Sequence, residues 1–205
     1  VVENDIIVPD VKPDIAHIVL LDGDAYVNSV EAASDKLLIN GTIRYKILYI
    51  SDDPGQSLKS INTAAGFQYT MEIPDTRQGM QCRVKCNIEH LEHEIINSRK
   101  VNVKAVLSLD GTVTNRLDQQ IVQDFDGVED IQVLRRPVGV SSYIGGAVSG
   151  YQVNETLEVM PGKPAVLELL RNDVKIIGKE FNVTEDKVIA KGELNISTLY
   201  ISDDE

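Results

Sequence analysis

The sequence predicts an all-β protein: antiparallel, sandwich-like β-sheets with long hairpins and at most one short helix per repeat unit. Three observations lead there. Apolar and polar residues alternate with a period of two over long stretches, as in strands with one buried and one solvated face. Gly, Pro, Asn and Asp interrupt those stretches at turn positions. Finally, residues 12–53 recur as residues 163–204 at a constant offset of 151 with no gap. A chain built from one repeated unit takes its fold from that unit.

The repeat is anchored by identities. Lys12-Pro13 falls on Lys163-Pro164, Asp35-Lys36 on Asp186-Lys187, and Gly41 on Gly192. The run Leu48-Tyr49-Ile50-Ser51-Asp52-Asp53 returns as Leu199-Tyr200-Ile201-Ser202-Asp203-Asp204. Within the unit, Lys12-Pro13-Asp14 reads as the start of a short helical turn, because Pro suits a first helical position and an acid the first turn. Ile15, Ile18 and Val19 then follow at helical spacing. From Leu37 the period changes to two: Leu37, Ile39, Gly41, Ile43, Tyr45, Ile47 and Tyr49 alternate with Asn40, Thr42, Arg44 and Lys46. Ser51-Asp52-Asp53-Pro54-Gly55 closes the strand with a turn.

Between the copies, Phe67–Ile73 reads as a strand ending at the Pro74-Asp75 turn. Cys82, Val84, Cys86 and Ile88 alternate with charged or polar neighbours, Asn97-Ser98 interrupts, and Val101, Val103, Ala105 and Leu107 resume the pattern. Those two strands predict a hairpin. Residues 131–148 read as a further strand bent at Gly145-Gly146. The domain reading is therefore 1–150 for one complete unit and 151–205 for the front half of a second, which stops early. The chain also begins at Val1 and shows no leader pattern, and so reads as a trimmed piece.

Composition narrows the function. Twenty Lys and Arg against 32 Asp and Glu give a formal charge of −12. With Arg99-Lys100 and Arg135-Arg136 as isolated basic pairs, the chain lacks the footprint that draws phosphate backbones or anionic lipid. No apolar run approaches the roughly 20 residues of a membrane span. The expected partners are neither nucleic acid nor membrane.

Sites of chemistry are equally poorly supplied. Cys86, His90 and His93 invite a zinc reading, but on a regular strand Cys86 and His90 share a face about 13 Å apart, with His93 on the other side. A hairpin tip with solvated imidazoles is the better reading. Cys82 and Cys86 are likewise too far apart for a disulfide. The acidic pairs Asp22-Gly23-Asp24, Asp52-Asp53, Asp124–Gly127 and Asp203-Asp204 fit no calcium loop and read as turns. No serine has a nucleophile setting and no Gly-rich loop a phosphate cradle. The absence of Trp leaves little for stacking sugars or bases. The chain is expected to be no enzyme and to use no cofactor or metal.

Several runs carry a family likeness. Val8-Pro9-Asp10-Val11-Lys12-Pro13-Asp14-Ile15, the strand from Gly41 to Ile47-Leu48-Tyr49, and Glu94–Val106 resemble the SPOCS domain family, the SipL-like spore coat morphogenesis proteins of clostridia. The resemblance spans one full domain and the front half of another. It implies a non-enzymatic role in spore coat assembly at the forespore surface or outer spore layers, after synthesis in the mother-cell cytoplasm. It also implies protein partners, with the SpoIVA ATPase among them by analogy with SipL. SipL's C-terminal LysM module has no match here, so that binding is not assigned to residues of this chain.

A half domain exposes an apolar face and unpaired strand edges, which calls for cover either by residues 54–150 packing against both copies or by another chain; the second case gives the expected homo-oligomer or polymer. The alternatives are a fibre or appendage subunit assembling head to tail, and a peptidoglycan- or cortex-binding module. The candidate interaction residues are the outward positions of the repeated strand: Arg44 and Lys46, with their counterparts Asn195 and Ser197.

Overall fold

The computed structural model describes residues 1–115, 118, 120–122, 132, 134, 136, 137, 139, 140 and 145–202. Among them there is no helix. The strands are β1 (Val2–Ile7), β2 (Ile15–Ala33), β3 (Lys36–Ser51), β4 (Leu58–Glu72), β5 (Gln81–Asn97), β6 (Lys100–Thr114), β7 (Val166–Val183) and β8 (Val188–Ser202). They form two three-stranded antiparallel sheets, β2–β3–β4 and β1–β6–β5, and one two-stranded hairpin, β7–β8. The strands and their connections belong to one unit, Val1–Asn115 with Gly162–Glu205. Arg116–Pro161 is a second unit whose described residues form neither helix nor strand. Of the strand expected within 131–148, residues 131, 133, 135, 138 and 141–144 lie outside those described, and the residues described there are not in a strand.

The helical start expected at Lys12–Val19 is a β-turn followed by a strand. Lys12 N donates to Pro9 O at 2.9 Å, and β2 then runs unbroken for 19 residues. Its register explains the misleading spacing. Ile15 faces Ser51, Ile18 faces Tyr49 and Leu21 faces Ile47, with register shifts between Ile15 and His17 and between Ile18 and Leu20. Each bulge inserts a residue, so the inward side recurs every three positions instead of two. Three-residue spacing mimics a helix without being one. The same logic corrects Asp22-Gly23-Asp24, which is not a turn but an out-in-out stretch of β2. Gly23 lies opposite the buried Tyr45, and a Cβ there would meet Arg44 O at 3.0 Å and Ile88 Cδ1 at 3.4 Å.

The other strands follow the alternation. β3 buries Leu37, Ile39, Ile43, Tyr45, Ile47 and Tyr49 on one side. The sheet β1–β6–β5 contributes Ile6, Val101, Val103 and Ala105 to the same core, with Cys82, Val84, Cys86 and Ile88 packed at its margin. Tyr45 reaches across and donates its hydroxyl to Asn4 Oδ1 at 2.8 Å, which gives the buried phenol a polar partner. The β5–β6 hairpin expected from the alternation is present. Ser34-Asp35 connects β2 to β3, and Asp35 takes a left-handed φ of 58°, a conformation that short Asp side chains tolerate.

The second copy folds as the first. Val166 faces Ser202 and Leu169 faces Tyr200, the pairings of Ile15–Ser51 and Ile18–Tyr49 moved by the repeat offset. The first two bulges recur at the equivalent places, between Val166 and Glu168 and between Leu169 and Arg171. Tyr49 donates its hydroxyl to Pro13 O at 2.9 Å, and Tyr200 donates to Pro164 O at 3.2 Å. The repeat thus preserves register, bulges and a tertiary hydrogen bond.

Gly41 and Gly192 give an internal control. A Cβ on Gly41 would lie 2.2 Å from Phe67 Cζ and 2.6 Å from Tyr26 O, both fixed by the core. At Gly192 the nearest atom is the Cγ2 of exposed Ile176, at 3.0 Å. Gly41→Ala should therefore cost about 2–3 kcal/mol in urea unfolding, as an overpacked core does. Gly192→Ala should leave the midpoint nearly unchanged, and equal effects would contradict the packing described.

Candidate functional site

Two of the three runs of the family-like pattern meet in space although they are remote in sequence. The turn between β5 and β6 presents Ser98 and Arg99 to the Val8–Ile15 segment. Arg99 donates to Asp14 Oδ1 at 2.7 Å, Val8 O at 3.0 Å, Pro9 O at 3.1 Å and Lys12 O at 3.3 Å. Ser98 Oγ donates to the other Asp14 oxygen at 2.7 Å. Backbone bonds from Val8 N to Arg99 O and from Ile15 N to Ser98 O complete the clamp. A planar guanidinium suits this task because its donors are fixed in a fork. The Ser98 hydroxyl and then Arg99 hold the Asp14 carboxyl below its usual range. Lys100, followed by Asn102, does the same for Asp5 on β1.

The inner face of the repeated hairpin is treated differently in the two copies. In the first it lies under the β1–β6–β5 sheet. In the second the equivalent face is open: Leu37 is 0% exposed and its counterpart Val188 62%, Ile43 is 0% exposed and its counterpart Leu194 44%. Ile176, Phe181, Val183 and Ile196 continue the exposed apolar row. Among the described residues β8 has no second neighbouring strand, whereas its counterpart β3 is paired on both edges. An apolar face of this kind with a free edge is a surface for added strands.

The outer face carries a second arrangement. Leu48 and Ser60, on the solvent side of β2–β3–β4, are nevertheless buried, as is Leu170 of β7, which lies against β4. Ion pairs surround them. Arg171 binds Asp22 and Asp173, Lys46 binds Asp24 at 2.9 Å and Asp173 at 3.0 Å, and Lys59 binds Glu168 at 2.7 Å. Arg171, with Lys46 behind it, keeps the Asp173 carboxyl low against the opposing effect of burial. Burial pulls the Lys46 ammonium down, and the carboxylates of Asp24 and Asp173 together raise it above the usual lysine value.

Of the four candidate residues, the structure places Lys46 in this ionic cluster. Arg44 is exposed and stacks its guanidinium 5.2 Å from the centre of the Tyr26 ring. Asn195 and Ser197 are exposed on β8. The four are not brought together. The histidine reading changes in one respect. A bulge between Ile88 and His90 turns His90 away from the face of Cys86, and His93 falls on the Cys86 side, the reverse of the regular-strand expectation. His90 instead pairs with Glu92 at 3.0 Å. Cys82 and Cys86 are free thiols, and burial pushes the Cys86 thiol up. A hollow of about 260 Å³ between Val2, Phe67, Met71, Leu107 and Leu109 has no carboxylate, imidazole or thiol in its lining.

Sequence reasoning missed Arg99, Asp14, Arg171 and Glu168. Arg99 and Asp14 each stood in a quoted run, but nothing local says that residues 85 apart are partners.

Truncating Arg99 to Ala removes several charge-assisted bonds and should destabilise the chain by about 2–3 kcal/mol in urea. Asp14 and Asp5 have lowered folded values, so their contribution is complete above the ordinary 3.8 and is lost as pH falls through the lower folded values. Stability should therefore drop between about pH 5 and pH 2, with a shallower drop for Asp14→Asn. An unchanged acid limb in that variant would contradict the clamp.

Comparison with known proteins agrees with this arrangement. The family model described as SipL, SPOCS domain, matches residues 14–96 and 165–205, which together make up more than half of the chain. The two matched segments begin at equivalent points of the two copies, at Asp14 and at Ala165. No curated protein and no solved structure gives a match. The chain belongs to the SipL SPOCS domain family, which is linked to protein interaction in sporulation and is not known as enzymatic.

Proposed function

We propose that this protein is a non-enzymatic assembly module of the bacterial spore envelope, acting in the coat through its sheet faces. The observation that carries the reading is the open inner face of β7–β8, whose counterpart in the first copy is buried along β3 and partly buried along β2. In this reading the face that the first copy covers is, in the second copy, the surface that takes a partner. Residues 153–159 support it further. They match Val2–Val8 at the repeat offset, yet Val153 and Leu157 are exposed where Val2 is half-buried and Ile6 buried.

The first occupant is a second copy of the chain, adding strands along the β8 edge and covering the apolar row. Coat proteins at the forespore surface are the further partners, the SpoIVA ATPase among them by family analogy. The net charge of −12 opposes association of copies and is screened by salt, so association should strengthen as ionic strength rises.

Light scattering on the 22.6 kDa chain tests this. The mass should rise with concentration through the high micromolar range and rise further with added salt. Placing charges on the registered pair, Ile176→Lys with Leu194→Lys, should return it to monomer. A wild-type chain that stays strictly monomeric throughout would contradict the reading.

A further inference from the structure

The outer face of the first copy supports an inference that does not depend on the inner face. We infer that the surface around Lys46 is a docking site built for the strand that opens the following copy, and that the equivalent surface of the second copy is not one, so the copies interlock once per chain instead of stacking onward. The receiving side is Asp22, Asp24, Lys46 and Leu48, and the inserted side is Glu168, Leu170, Arg171 and Asp173.

The repeat offset allows each side to be compared with its own counterpart. On the receiving side, Asp22 is matched by Asp173 and Leu48 by Leu199, but Lys46 is matched by Ser197 and Asp24 by Lys175. The central cation is lost and a neighbouring charge is reversed. On the inserted side, Glu168 is matched by His17, Leu170 by Val19 and Arg171 by Leu20. The guanidinium that joins the two surfaces is therefore absent from the first copy. Asp22 and Leu48 are kept in both copies, but neither cation of the contact is, although register, bulges and the Tyr–Pro bond are.

The contact is an ion-pair lattice around a small apolar centre. Asp173 is shared between Arg171 of its own strand and Lys46 of the first copy, so the two cations act through one carboxylate. Lys46 and Arg171 keep 23% and 19% of their side-chain surface exposed, but their partners Asp24 and Asp22 keep 48% and 42%, so the lattice is open to screening by salt. A head-to-tail series would need Lys at 197 and Arg at 20. The chain has Ser and Leu.

Amide hydrogen exchange on the whole chain, read along β7 from Leu167 to Asp173, tests the docking. Lys46→Ser, which gives the first copy the residue of the second, and Arg171→Ala should each speed exchange there about tenfold. High salt should do the same to the wild type and add little to either variant. Because each cation depends on Asp173, the double variant should gain less than the product of the singles. Exchange in β3 should be unchanged in Arg171→Ala, which lies outside the first copy and so separates undocking from loss of fold. The inference is overturned if salt and both single variants leave β7 unaffected.

Discussion

Burial of the inner row of β3, from Leu37 to Tyr49, is the constraint around which the first copy is arranged. A hairpin this long presents more apolar surface than water tolerates, and at roughly 25 cal/mol per Å² the gain from covering it dominates the energetics. The β1–β6–β5 sheet supplies the cover, with Val101, Val103 and Ala105 fully buried against it. Arg99 then ties the turn of that sheet to the chain entering β2, so that cover and hairpin are fastened at the end where Tyr49 also holds Pro13. The second copy has the same hairpin with the same register and no such cover among the described residues. The difference between the copies follows from this one constraint, satisfied once and left open once.

What the sequence disclosed divides along a physical line. Alternation is legible where a strand is regular, which is why β3 and the β5–β6 hairpin could be read directly. It fails at bulges, because an inserted residue changes the period that the reading depends on. β2 was lost for that reason, and His90 was placed on the wrong face for the same one. Asp22-Gly23-Asp24 misled differently: Asp and Gly favour turns locally, but opposite Tyr45 the strand needs a residue without a side chain. The Arg99 clamp and the Arg171–Asp173–Lys46 lattice were beyond local reading, since each joins residues from distant parts of the chain.

Charge has two opposed roles in the molecule. Over the whole chain the excess of acid keeps copies apart, and salt relieves that repulsion. At the outer face opposite charges hold the second hairpin to the first copy, and salt weakens that attraction. Ionic strength therefore moves association and internal docking in opposite directions, which allows the two surfaces to be separated in one preparation. The clamp at Arg99 adds a third element, carboxylates whose lowered values tie the fold's stability to their ionisation.

The most direct measurement is amide exchange compared between equivalent positions of β3 and β8 as the protein is concentrated. At high dilution the account predicts strong protection from Ile39 to Ile47 and weak protection at the matching positions from Ala190 to Thr198. Protection of β8 should then rise with concentration while β3 stays constant. Equal protection of the two strands at high dilution, or a β8 that never gains protection, would contradict the claim that one hairpin is covered and its repeat is open for a partner.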